Sequence, residues 1–290
     1  MKNITLTIAA LFSLSFAALA QNATLASSEI NKVSQPCIKS EYNISADMVE
    51  GALKKKFNDA KLGSGSKATD GFRVYKGVVI PEITKEKMDV YYKVEDKKPA
   101  SAVYLLLSKG YDNFMKMDPD SVALKNAMTY LNLFVKDATA YLLNNQIDQQ
   151  NDAIKDLEKK AKKSAKDGES LVKDKTKTES KISDNAIEAG TLKNVMENEQ
   201  KALEQVKTKT ATIDQMDALK KEVSKQESLT KKSTKNYNNA VDDGAGYKEE
   251  LAKAEKEIEA NQIEQENIKN EMEAARMKLE DLRSQLNGLK

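Results

Sequence analysis

The chain has no histidine and no tryptophan, one cysteine, four prolines, and aromatic residues at only 6% of its length. Without histidine the commonest general base and metal ligand is missing, and no Ser-His or Cys-His nucleophile can be assembled. The glycines form neither a P-loop nor a G-x-G-x-x-G fingerprint. Carboxylates are plentiful, but a glycosidase needs two that converge in a cleft, and no clear pair stands out. A calcium loop centred on Gly244 would use Asn239, Asp243 and Glu250. Its third position is then Val241, which cannot ligate, and the related stretch upstream begins on Lys163. The composition therefore points away from an enzyme and gives no cofactor or metal site.

The single Cys37, in "VSQPCIKS", cannot close an internal disulfide; it is an unpaired thiol or a link between two chains. "MKNITLTIAALFSLSFAALA" has Lys2, an apolar run from Ile4 to Leu19, and small residues Ala18 and Ala20 ahead of Gln21. This pattern predicts an export signal over residues 1–20, cleaved after Ala20. Cys37 lies well beyond that point, so no lipid anchor is expected there. No later stretch is apolar enough to span a bilayer, and the mature chain is expected to be periplasmic or secreted. With Lys2 lost, 46 basic and 45 acidic residues remain. That balance gives no reason to expect nucleic acid as a partner.

Residues 21–42 are polar and aperiodic and read as a flexible lead-in. A head is expected at 43–140. Ser45 is placed to cap a first helix carrying Val49, Leu53, Phe57 and Ala60 at helical spacing. Three strands follow. "GFRVYKGVVIP" sets Phe72, Val74, Val78 and Ile80 on one face. "KMDVYYKVED" alternates Met88, Val90, Tyr92 and Val94 with polar residues, and "SAVYLLLSKG" is the most apolar. A second helix starts near Asp118-Pro119. Two helices would cover one sheet face and leave the other wetter. Tyr75, Tyr91 and Tyr104 are the candidate contact surface on that wetter face.

From about residue 141 proline is absent and Lys, Glu, Asn, Gln and Ala dominate. With Leu251 at position a, the a/d positions run through Ile258, Asn261, Ile268, Met272, Leu279 and Leu286, a coiled-coil pattern. It fades upstream over Gln226, Thr230 and Ser233. A weaker seam runs from Ile147 to Ile213, and the register breaks between Ile213 and Met216, where a skipped residue distorts a coiled coil or marks a turn. A shift of 76 residues lays Asp167-Gly168 on Asp243-Gly244, Ile182 on Ile258, Asn185 on Asn261 and Ile187 on Ile263. This predicts two helical repeats, 141–216 and 217–290. Asp167, Gly168, Asp243, Gly244 and Gly246 are read as hinges, either turns that fold each repeat into a hairpin, the favoured reading, or soft points within one long helix. Asn185 and Asn261 are read as residues that fix register. "KKAKKSAK", Lys159 to Lys166, is read as a solvated basic helix face in preference to a contact for anionic lipid or cell-wall polymer.

The expected architecture is thus an α+β head (helix, three antiparallel strands, helix) followed by an all-α coiled-coil tail of duplicated hairpins. With "FRVYKGVVIPEITKEKMDVYYKVED" and "VYLLLSKGYDNF" in the head and a Lys/Glu-rich tail, the chain resembles a loosely defined group of exported bacterial proteins. The resemblance implies export and architecture and carries no functional residues. Two roles are expected. One is an envelope structural or interaction protein whose tail pairs with itself or another coiled-coil protein. The other is a binding module whose head sheet holds a lipid, peptide or glycan, with the tail as a spacer.

Overall fold

The structure is a computed structural model that describes residues 23–289; the expected export signal lies outside them. Its elements are β1 (Thr24–Ile30), β2 (Val33–Tyr42), α1 (Ala46–Asp59), β3 (Ser66–Lys67), β4 (Arg73–Ile80), β5 (Thr84–Lys97), β6 (Ala100–Ser108), α2 (Met117–Lys207) and α3 (Met216–Gly288). The chain divides into two compact units. The first runs to Gln149 and includes Leu279 onward; the second is Gln150–Lys278. No helix among the described residues is long and apolar enough to cross a membrane.

The first unit corrects the three-strand expectation. Its sheet has six strands in the order β1-β2-β6-β5-β4-β3, with every neighbouring pair antiparallel. The segment expected to be a flexible lead-in supplies β1 and β2. β1 pairs only with β2 and most of its residues are not buried, so its side chains need no apolar alternation. The connecting turn places Asn31 and Lys32 at φ of 52° and 61°, the left-handed geometry that a two-residue hairpin requires. Asp70 accepts a bond from the Asn31 backbone N–H at 2.8 Å, and the Thr69 hydroxyl donates to Asn31 Oδ1 at 2.8 Å.

α1 forms where the helical spacing predicts it, and Val49, Leu53 and Phe57 are buried. Ser45 stands at its N-cap with extended backbone, but its hydroxyl makes no capping bond. The main core lies on the helix-covered face, where Phe57 meets Tyr75 and Tyr92 edge-on at centroid distances of 4.8 and 5.7 Å. The opposite face is not left wet throughout: Ile30, Cys37, Phe72, Val74, Tyr91, Leu106 and Phe114 form a second, smaller core.

β4 serves both cores. Tyr75 pairs with Val90 and Val78 with Met88, so β4 advances three residues while β5 advances two. This bulge inserts one residue and reverses which parity faces which core. Gly77 holds the bulge at φ 62°, and its N–H donates to Asp89 Oδ1 at 2.7 Å. Hence Phe72 and Val74 point to the small core while Tyr75, Val78 and Ile80 point to the large one. The single-face reading of β4 is corrected accordingly.

Cys37 is 1% exposed inside the small core. Burial pushes its thiol up to about 11. A link between two chains would therefore require the sheet to open. In native protein at pH 8, Cys37 is expected to react with a disulfide reagent only at the rate of global or local opening, and at once in denaturant. Stoichiometric labelling within seconds of mixing native protein would contradict this placement.

In the second unit the helical parts of α2 and α3 run antiparallel. The chain turns at residues 208–215, where the register breaks. The turn is closed by Gln215 N–H on Thr212 O at 2.9 Å and by Lys209–Glu222 at 2.5 Å. α2 buries Ile154, Ser164, Thr178 and Val206, and α3 buries Ser233, Ala240, Asn261, Ile268 and Ala275. These positions fall on single stripes of alternating three- and four-residue steps. The stripe of α3 continues unbroken through Gln226, Thr230 and Ser233, where the apolar pattern fades. The duplicated-hairpin expectation is corrected: the described residues form one helical hairpin, and neither Asp-Gly site is its tip.

Candidate functional site

The three tyrosines do not make one surface. Tyr75 is 4% exposed in the large core, stacked at 6.2 Å on Tyr92. Tyr91 is buried in the small core, with its hydroxyl donating to Asp112 Oδ1 at 3.2 Å. Only Tyr104 is half-buried, packed at the edge of the small core beside Lys93, whose ammonium lies 5.4 Å from its ring centre. The bulge removes Tyr75, and the loop bearing Asp112 and Phe114 covers Tyr91.

Asp167-Gly168 and Asp243-Gly244 lie inside unbroken α2 and α3. Their role is spatial. Asn261 Nδ2 donates to Ser164 O and Ser164 Oγ, both at 3.1 Å, and Asn185 Nδ2 donates to Ala240 O at 3.0 Å. Ser164 and Ala240 each stand one turn before a glycine. A Cβ on Gly168 would fall 2.6 Å from Asn261 Oδ1, and one on Gly244 would collide with Asn185 Oδ1. Each glycine thus makes room for the asparagine of the other repeat. The 76-residue spacing makes the two contacts equivalent, related by a two-fold axis across the hairpin. Gly246 has no neighbour of this kind, so it is neither a hinge nor a contact.

Other polar stripe residues are matched in the same manner. Gln265 Nε2 donates to Asn261 Oδ1 at 2.7 Å. Gln226 donates to Glu199, and the Thr230 hydroxyl reaches Glu199 O at 3.2 Å. A buried amide with its bonds made is tolerated, and one without is costly. The stripe therefore admits one pairing register. The sequence marked the asparagines as register devices; it did not reveal that their partners were the supposed hinges.

A concave site lies elsewhere, within the first unit. α1, the β4–β5 turn and the first half of α2 enclose a groove of about 940 Å³, within the size range of small-ligand sites. Lys56 Nζ pairs with Asp137 at 2.6 Å and lies 5.0 Å from the centre of the Tyr130 ring. Lys55 pairs with Asp59 at 2.9 Å. Tyr130 is 7% exposed. Burial, then the charges of Glu82 and Asp137, push its phenol well above the usual range. Nothing in the sequence marked this groove, because its walls come from segments as far apart as Ala52 and Asp148 and carry no motif.

Among the described residues no group of three His, Cys, Asp or Glu is placed to hold a metal ion. No protein-family model, curated protein or solved structure matches the chain.

Proposed function

We propose that this is a non-enzymatic exported binding protein, periplasmic or secreted, whose first unit takes a ligand and whose helix pair is a self-sufficient spacer. The observation that carries this reading is the closure of the helix stripes upon each other. Asn185, Asn261, Gln226 and Gln265 all find their partners within the same chain. A partner coiled coil would have to displace bonds already made, at about 1 kcal/mol each and more where a buried group is left unpaired. The groove, by contrast, is open.

A second reading keeps the tail as the interacting part, with itself or another coiled-coil protein as partner. It is favoured by Ile187 and Ile263, equivalent in the two repeats and 70% and 57% exposed. Mass in solution separates the two. The chain from Gln21 onward is expected to sediment as a monomer from micromolar to about 100 μM. A dimer that dissociates when Ile187 and Ile263 are both changed to Lys would return the function to the tail.

A further inference from the structure

We propose that the groove between α1, the β4–β5 turn and α2 binds a primary ammonium group carried on a flexible chain. This rests on the reading of the first unit as a binding module. The balance of unpaired charge decides the ligand class. The groove is lined by two lysines and four carboxylates. Both lysines are engaged, Lys56 by Asp137 and Lys55 by Asp59. Glu82 and Asp148 have no cationic partner among the described residues, so two negative charges on the wall are left uncompensated.

The remaining polar groups are mixed: Asn145 Oδ1 accepts from Gln149 Nε2 at 2.9 Å, so that side chain offers the groove donors. Asn144 donates one of its two amide N–H groups to Ala140 O at 2.7 Å, and its side-chain oxygen is left unpaired. The Tyr130 hydroxyl has no hydrogen-bond partner among the described residues, although the side chain is nine-tenths buried and lines the groove. An ammonium has three donors and a positive charge, which matches the two uncompensated carboxylates and the unpaired oxygens of Asn144 and Tyr130. An anion would meet lysines that are already neutralised. The Tyr130 ring adds a face that attracts cations, a use Lys56 already demonstrates at 5.0 Å. About 940 Å³ is far more than an ammonium alone fills, so the alkyl chain enters with it, beside Ala52, Leu62 and Ile80. A free diamine and a lysine side chain of a peptide share this chemistry.

The test is titration calorimetry of the chain from Gln21 onward. The probes are 1,5-diaminopentane, a short Lys-containing peptide, its Nε-acetylated form, glutarate, and a neutral N-acetylglucosamine disaccharide. Binding of the diamine or the lysine peptide is expected, and which of the two binds more tightly identifies the source. Acetylation should abolish peptide binding. Glu82→Gln with Asp148→Asn should weaken binding about tenfold or more, the loss expected for charge-assisted bonds, with the circular dichroism and melting temperature retained. Tyr130→Phe should weaken it less, about threefold. Diamine binding that is indifferent to all three substitutions overturns the proposal. Binding of glutarate or the disaccharide in the groove instead overturns the ammonium assignment but leaves the binding-module reading. Failure of every probe, with no ligand retained from envelope extract, overturns both.

Discussion

Deleting Lys76 and Gly77 together should abolish cooperative folding of the first unit. Both are exposed residues of the β4 bulge, and on the surface they look dispensable. Without them Tyr75 adjoins Val78, β4 alternates strictly, and Tyr75 can no longer share a face with Val78 and Ile80, whereas deleting Lys76 alone leaves Tyr75 and Val78 two apart on one face and should be far better tolerated. Those three are 4%, 9% and 4% exposed in the large core. Either Tyr75 or the Val78–Ile80 pair must leave it, at about 1.5–3 kcal/mol for each side chain. Phe57 would lose its closest aromatic contact, at 4.8 Å. Against a typical domain stability of about 5–15 kcal/mol, this removes most or all of the margin. Loss of the near-ultraviolet dichroism and of a sharp thermal transition is the expected result. Lys76→Ala, which keeps the residue count, should be nearly neutral. A deletion variant melting within a few degrees of the parent would show that the bulge does not set the register.

The second large effect is expected from Gly168→Ala combined with Gly244→Ala. On helix propensity alone each change stabilises by about 1 kcal/mol. Here the new methyl groups fall on Asn261 Oδ1 and Asn185 Oδ1. Displacing Asn261 breaks its bonds to Ser164 and disturbs the one from Gln265; displacing Asn185 breaks its bond to Ala240. A buried group left unpaired costs about 1–3 kcal/mol, so the loss wins and the double variant should melt lower. Adding Asn185→Ala and Asn261→Ala should recover much of the difference, because the clash and the unsatisfied amides go together. Gly246→Ala, with nothing near its Cβ position, should instead raise the melting temperature. If Gly244→Ala and Gly246→Ala shift it alike, the glycine–asparagine contact contributes nothing.

What was legible in the sequence and what was not divide along a physical line. α1 could be read because Val49, Leu53 and Phe57 follow the helical period without interruption. β5 could be read because Met88, Val90, Tyr92 and Val94 alternate. The helical stripes could be read wherever their partners were apolar. Each failure occurred where a residue's reason lay in a distant segment. Residues 24–42 seemed too polar for strands, because β1 is an edge that buries little and β2 carries Ser and Lys beside Cys37 and Ile38. One inserted residue at Lys76-Gly77 reversed the face of Tyr75, and the alternation on either side looks regular. Gly168 and Gly244 carry the local signature of helix ends. Only the asparagines 93 and 59 positions away explain why the helices continue through them. The groove left no trace because it is bounded by side chains with ordinary surface chemistry.

The two-fold relation between the repeats has a consequence for assembly. A hairpin whose halves are interchangeable has no chemical means of recognising its own second half. The stripe of α2 finds in another molecule's α3 the same glycines, asparagines and heptad steps that it finds in its own. What favours the intramolecular pair is the short tether at residues 208–215, which sets an effective concentration on the order of millimolar. Below that concentration each chain closes on itself; where chains crowd during synthesis, exchange of arms becomes competitive. Fidelity of pairing is thus a property of one short, glycine-free loop, while the contacts along some 85 Å of helix (Gln150 to Lys207 at about 1.5 Å per residue) fix how the partners align but not which molecule they belong to.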